Sequence, residues 1–236
     1  MDNLDLRFNE AFIKSKLKSF NSSSRISLED PFFTPSAVLF PLIPHEENPY
    51  EIILIHRSNM GLRHRGEISF PGGKFDPKYD KSLKDTALRE TKEEIGVPNE
   101  KVKIIGCLDD FPTMTKFIIT PFISIIDKNQ KLKRDEREVQ KILKVPIDFF
   151  LMKVNFREQS IDIENDKFPI FYFNYIDEIN GNPYTIWGAT AYMIVTFIET
   201  IYGFSLSKLG LKRFKLEKIK HLKEYIKYRN QITRKF

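Results

Sequence analysis

One cysteine, Cys107, stands among 236 residues. No disulfide can form within such a chain, which fits a reducing compartment. Long apolar runs are also missing. The longest, such as FIITPFISII at 117–126, are about half of what a membrane-crossing helix needs. Residues 1–30 contain no continuous apolar core, so no secretory signal is expected. Asp2, Asp5 and Glu10 also argue against a mitochondrial presequence, although the Lys/Ser-rich stretch at 14–25 leaves that open. The expectation is a soluble intracellular protein, its compartment left open. Hydrophobic residues reach 41%, with 21 Phe and 9 Tyr, which excludes a disordered chain.

Charge is uneven. From Leu206 to Phe236 there are 11 Lys/Arg and two Glu, while the rest of the chain is slightly acidic. Such a tail suits an anionic membrane surface or nucleic acid. A solvated helix packed through Ile219, Leu222 and Ile226 is the favoured reading, since no nucleic-acid motif accompanies the tail. The pattern divides the chain into an N-terminal helix and linker (1–30), a main domain (31–205) and a basic helical tail (206–236).

Periodicity supplies the elements. Leu4, Phe8, Phe12 and Leu17 have helical spacing, and NSSSR reads as a loose polar link. Strands are expected at 37–43, 51–57, 102–111 and 117–127, with a late hairpin, KFPIFYFNYI and PYTIW, about the turn at 180–182. Helices are expected at 83–95, capped by Ser82 and stopped by Gly96, within 135–151, and at 189–204. This mixture lacks strict βαβ alternation. The fold class is α+β, a layered α/β/α sandwich with a mixed sheet.

One helix carries unusual charge. ALRETKEEIGV at 87–97 places Glu90, Glu93 and Glu94 within about a third of the helix circumference. Leu83, Ala87, Leu88 and Ile95 anchor another face. Three carboxylates on one rigid element suit a hard divalent ion, Mg²⁺ or Mn²⁺. An ordinary solvated helix face, neutralised by Arg89 and Lys92, would look the same in isolation. The preceding GEISFPGGKFD at 66–76 separates the two readings. It ends a strand on Gly72 and Gly73, where a backbone or phosphate can approach closely.

Strand, Gly-Gly turn, acidic helix and glycine stop together resemble the Nudix box. That signature is Gly, five residues, Glu, seven residues, then Arg-Glu-apolar-x-Glu-Glu-x-Gly-apolar. Its second half stands here as Arg89 to Val97, with Thr91 less apolar than usual. The first half departs from the pattern. Gly73 lies two residues too far from Arg89, and Lys81 occupies the first Glu position, where Asp76 or Asp80 would stand in. The resemblance implies that Glu90, Glu93 and Glu94 bind the metals. Gly96 ends the helix, and Arg89 braces the loop through a carboxylate.

Residues 52–73 are also similar to the extra motif of the coenzyme A pyrophosphatase subgroup. Arg57, Ser58, Gly66, Phe70, Pro71, Gly72 and Gly73 fall in register. Leu62 stands where an Arg is usual, and Arg63 follows it. EVQKILKVPIDFFL at 138–151 and TIWGATAYM at 185–193 are similar to two further segments of the subgroup. Trp187 and Gly188 read as structural, packing a strand onto the last core helix. By this resemblance the substrate is CoA or acyl-CoA, cut to 3′,5′-ADP and 4′-phosphopantetheine or its acyl form. Arg57, Ser58, Arg63, Arg65, Gly72 and Gly73 would bind it, with FPIFYF lining a groove for the apolar arm. Glu93 and Glu138 are the catalytic candidates. Glu138 is either a water-activating base or a carboxylate favoured at a helix N-terminus. His56 and His64 flank the basic loop, and Cys107 belongs to the core. The other enzymatic reading is a Nudix pyrophosphatase for ADP-ribose or a dinucleotide. No nucleic-acid partner and no membrane span are expected.

Overall fold

A computed structural model describes residues 6–58, 66–163, 166–213 and 215–220. Strand β1 (Thr34–Ile43) is its axis. It runs parallel to β7 (Phe117–Ile126), in register from Thr34 with Phe117 to Leu42 with Ile125. It runs antiparallel to β2 (Glu51–Arg57) near one end and to β4 (Gly72–Lys74) near the other. The sheet order is β3-β2-β1-β7-β5, where β3 is Ile68–Ser69 and β5 is Val102–Cys107. Short β6 (Phe111–Pro112) pairs with β7, and β8 (Val139–Pro146) pairs with β2. The parallel β1–β7 pair among antiparallel ones makes the sheet mixed.

Alternation along β1 and β2 defines the layers. Ala37, Leu39, Ile53 and Ile55 pack with Ala87 and Ile95 of helix α2 (Leu83–Ile95). Phe40, Leu42, Ile52 and Leu54 face the opposite way. They meet helix α4 (Gly188–Tyr202) and a second sheet of β9 (Phe156–Ile163), β10 (Asp166–Ile176) and β11 (Pro183–Trp187), in the order β11-β10-β9. The result is an α+β sandwich. Among the described residues no helix is long and apolar enough to cross a membrane.

Three sequence expectations need correction. The helix expected from residue 135 is mostly strand β8, and only α3 (Ile147–Leu151) is helical. KILKV fits either period, but Ile52–Val145 and Leu54–Leu143 pairing with β2 buries it as a strand. Strand β9 was not expected, because its charged sequence FREQSIDI hides an edge strand. Residues 18–30 are not a loose link. Cys107 N–H donates to the Lys18 carbonyl at 2.9 Å, and buried Arg25 pairs with buried Asp110 at 2.6 Å. Serines flanking that arginine give no hint of its partner 85 residues away.

The N-terminal helix α1 spans only Glu10–Lys16, with Asn9 capping it through Phe12 N–H. Ile13 carries its core contact, while Phe12 is exposed and Phe8 meets Tyr50 edge-on. Leu4 lies outside the described residues. At the other end, the described part of the basic tail packs on the body. Arg213 reaches Asp109, Lys220 pairs with Asp30, and Ile219 of α5 (Leu216–Lys220) joins Phe33 and Ile118. Leu222 and Ile226 fall outside the described residues.

Candidate active site

Helix α2 is fixed at both ends and along one face. Ser82 accepts from Asp85 N–H, and Gly96 takes the left-handed conformation, φ 71°, with its N–H on Lys92 O. Thr91, polar where an apolar residue is usual, is fully buried. Its hydroxyl donates to the Ala87 carbonyl at 2.7 Å, so burial leaves no unpaired donor.

The three glutamates do not point to one spot. Glu94 turns inward and is 1% exposed. Arg57 Nη1 donates to its Oε1 at 2.8 Å and Gly72 N–H to its Oε2 at 2.9 Å. Burial still pushes its pKa up to about 7, against the pull of Arg57 and Gly72. Glu90 is also raised, chiefly by burial, with Arg89 opposing and the charges of Glu93 and Glu138 adding to the rise. Glu93 is more than half exposed. Arg89 Nη1 lies between Glu90 and Glu93, at 2.8 and 3.1 Å. Among the described residues no three His, Cys, Asp or Glu side chains are gathered to hold an ion. The donor type nevertheless fits a hard divalent cation: carboxylate oxygens within two turns, two of them in groups held against their preference for water.

Arg89 also makes a two-pronged contact with Asp80, Nε to Oδ1 at 2.8 Å and Nη2 to Oδ2 at 2.9 Å. The guanidinium is the main reason that Asp80 falls to about 2. A further bond to the Lys74 carbonyl ties the Gly-Gly strand to the helix. Of the two acids left open by the sequence, Asp80 makes this contact. Asp76 instead caps its own turn, accepting from Lys78 N–H.

Both glycines of β4 are close-packed. A methyl on Gly72 would lie 2.6 Å from Val38 Cα, and one on Gly73 would lie 2.5 Å from the Glu90 carboxyl carbon. The first obstacle is backbone of a paired strand and the second is a movable side chain. Gly72→Ala is therefore expected to lower the melting temperature the more. Gly73→Ala is expected to melt near wild type but lose turnover, because Glu90 must swing away. Thermal melts and turnover of the two variants check this ranking.

A cleft of about 780 Å³ opens beside β4, a size suited to a drug-sized ligand. Gly72, Gly73, Lys74, Arg57, Ser58 and Glu138 line its polar side, and Phe70, Ile119, Ile170, Phe171 and Met193 are among its apolar lining. Glu138 lies in the turn just before strand β8, so its place in a polar loop stands while the helix N-terminus reading falls with the helix. Ser58 N–H donates to the Glu138 carbonyl at 2.7 Å, which ties the end of β2 to the turn before β8. A smaller pit is lined by Lys74, Asp76, Tyr79, Arg89, Glu90 and Glu93, and shares Lys74 with the cleft. Arg63, Arg65, Leu62 and His64 fall outside the described residues. His56 is half-buried, meets Tyr184 edge-on at 5.3 Å, and has its pKa lowered by burial.

Sequence reasoning missed Lys74, Arg137 and Lys212 as lining residues, and it read Trp187 as purely structural although it lines the cleft. Lys74 was within reach, since it directly follows the glycine pair. Lys212 comes from the tail, and no local pattern connects it to the cleft.

Residues 33–159, more than half of the chain, match the NUDIX domain model. The Nudix hydrolase NudL of Photorhabdus laumondii is 32% identical over 67% of this chain and 80% of its own length. The peroxisomal coenzyme A diphosphatase NUDT7 of Mus musculus is 31% identical over 67% of this chain and 66% of its own. The mitochondrial Nudix hydrolase 15 of Arabidopsis thaliana is 31% identical over 71% of this chain and 58% of its own. By that domain match and those relatives, the chain belongs to the Nudix hydrolases, enzymes that act on phosphorus-containing anhydrides.

Proposed function

We propose that this Nudix hydrolase cleaves the diphosphate bond of coenzyme A and its acyl derivatives. The products are 3′,5′-ADP and 4′-phosphopantetheine or its acyl form. The observation that carries this reading is the cleft. Its lining combines the cations Arg57 and Lys74 and the glycines Gly72 and Gly73 with a broad apolar set, which suits a diphosphate joined to a long, largely apolar arm. The mouse relative named as a coenzyme A diphosphatase supports the same choice.

Nudix hydrolases generally use divalent metals such as Mg²⁺ or Mn²⁺. Here Glu90, Glu93 and Glu94 would hold the ion, which when bound offsets phosphate charge and lowers the pKa of water. The chain's own groups do the rest. Lys74, which has no carboxylate partner among the described residues, pairs with a phosphate oxygen. Arg57 keeps Glu94 oriented while lining the cleft. Glu138, close enough for its charge to be felt at Glu90, accepts the proton of the attacking water. Glu93, the most exposed of the helix carboxylates, is the second candidate for that proton. One new P–O bond forms between water and one phosphorus, the P–O bond from that phosphorus to the bridging oxygen breaks, and the other half of the substrate departs as a phosphate monoester that keeps the bridging oxygen.

Turnover of CoA and of ADP-ribose by purified protein with Mg²⁺ tests the substrate. CoA is expected to react faster, and a chelator is expected to stop both. A preference for ADP-ribose would overturn the choice of substrate while leaving the family intact.

A further inference from the structure

Trp187 is the only tryptophan of the chain, and it ends β11 where that strand meets the cleft. Across the sheet it faces Tyr172 of β10, which in turn faces Arg157 of β9. The three side chains form one row. The Arg157 guanidinium lies 4.5 Å from the Tyr172 ring centre, and the Tyr172 and Trp187 planes differ by only 7° with centroids 6.2 Å apart. Tyr172 is buried, whereas Trp187 is partly exposed. The row thus fixes the plane of the indole from the protein side and leaves it accessible from the cleft.

Two details show room and an unused donor at that place. A methyl group built on Gly188, the next residue, would meet nothing within 4 Å. The indole N–H donates to nothing among the described residues, although a tryptophan in a packed site usually finds an acceptor. A held, flat aromatic surface with open space beside it matches a flat ring better than a flexible chain. Stacking of a base on an aromatic side chain is strong and needs no particular hydrogen-bond pattern.

We propose that Trp187 is the stacking wall for the adenine ring of the nucleotide bound in this cleft. The inference rests on the reading above only in taking the ligand to be an adenine nucleotide. CoA and ADP-ribose share that ring, so the choice between them does not affect it. Trp187 is then a substrate-binding residue that lies outside the glutamate helix and outside residues 33–159, the matched domain.

Because the tryptophan is unique, its emission reports on the site without a label. The test titrates wild-type protein separately with 3′,5′-ADP and with 4′-phosphopantetheine, and follows indole fluorescence. Saturable quenching by 3′,5′-ADP and no change with 4′-phosphopantetheine is the expected result. Calorimetry should show 3′,5′-ADP binding weakened about 5- to 150-fold in Trp187→Leu. Trp187→Tyr, which keeps an aromatic face and guards against a folding defect in the first variant, should recover most of it. An emission change with 4′-phosphopantetheine alone, or equal 3′,5′-ADP affinity in wild type and Trp187→Leu, would overturn the proposal. So would failure of wild type to bind 3′,5′-ADP. If ADP-ribose alone is hydrolysed yet both adenine ligands quench the indole, the stacking site stands and the CoA reading falls.

Discussion

Replacing Glu94 with Gln removes turnover by at least about 100-fold and leaves the protein folded. Both halves of this expectation come from the surroundings of one carboxylate. Gln keeps the size of the side chain, but its single carbonyl oxygen can accept from only one of the two donors on Glu94, Gly72 N–H at 2.9 Å or Arg57 at 2.8 Å, and its NH₂ faces the other, so a modest drop in melting temperature is expected. Burial already opposes the charge of Glu94, raising its pKa to about 7, so losing that charge offsets part of the cost of the lost hydrogen bond and the protein stays folded. A metal ligand has no such neutral substitute. Loss of one anionic oxygen donor weakens the ion and the charge it offsets, worth several kcal/mol, where each 1.36 kcal/mol is tenfold in rate. Thermal melts and initial rates on CoA with Mg²⁺ separate the two effects. A variant that turns over at the wild-type rate, whatever its melting temperature, would show that Glu94 does not hold the metal.

Arg25→Ala is expected to destabilise the protein by about 3–5 kcal/mol, the cost of leaving one partner of a buried ion pair alone. The side chains of Arg25 and Asp110 are 2% and 3% exposed, and their contact is 2.6 Å. Asp110 also accepts from Leu28 N–H and the Thr120 hydroxyl, so the carboxylate cannot move out to water without breaking two more bonds. The guanidinium further binds the Phe20 carbonyl and lies 4.8 Å from the Phe20 ring centre. Denaturant titration gives the loss directly. A melting temperature lower by roughly 2–4 °C per kcal/mol should accompany it. A loss below about 1 kcal/mol, typical of an exposed pair, would mean that residues 18–30 only rest on the surface. The expected result would join this segment to the folding unit of the main domain.

How much of this was legible in the sequence depended on whether the information was local. Helix α2 was read to the residue because its signals are adjacent: Ser82 at one end, Gly96 at the other, and buried residues at helical spacing between them. The β10–β11 hairpin was legible for the same reason. KILKV failed because its apolar residues satisfy two periods, and only pairing with β2 chooses between them. Three glutamates on one face were correctly placed on the helix, but their directions were not predictable. Glu94 is drawn inward by Arg57 and Gly72, while Glu90 and Glu93 share Arg89, and those partners come partly from other elements. Trp187 was read as structural, and its additional place in the cleft lining was not legible because it depends on how three strands are laid side by side.

The most direct test of the central claim is to identify the products formed from CoA by mass. With Mg²⁺ or Mn²⁺, the wild-type protein should release 3′,5′-ADP and 4′-phosphopantetheine in equal amounts, and chelation should stop the release. CoA left intact with either metal, or cut anywhere other than at its diphosphate, would contradict it.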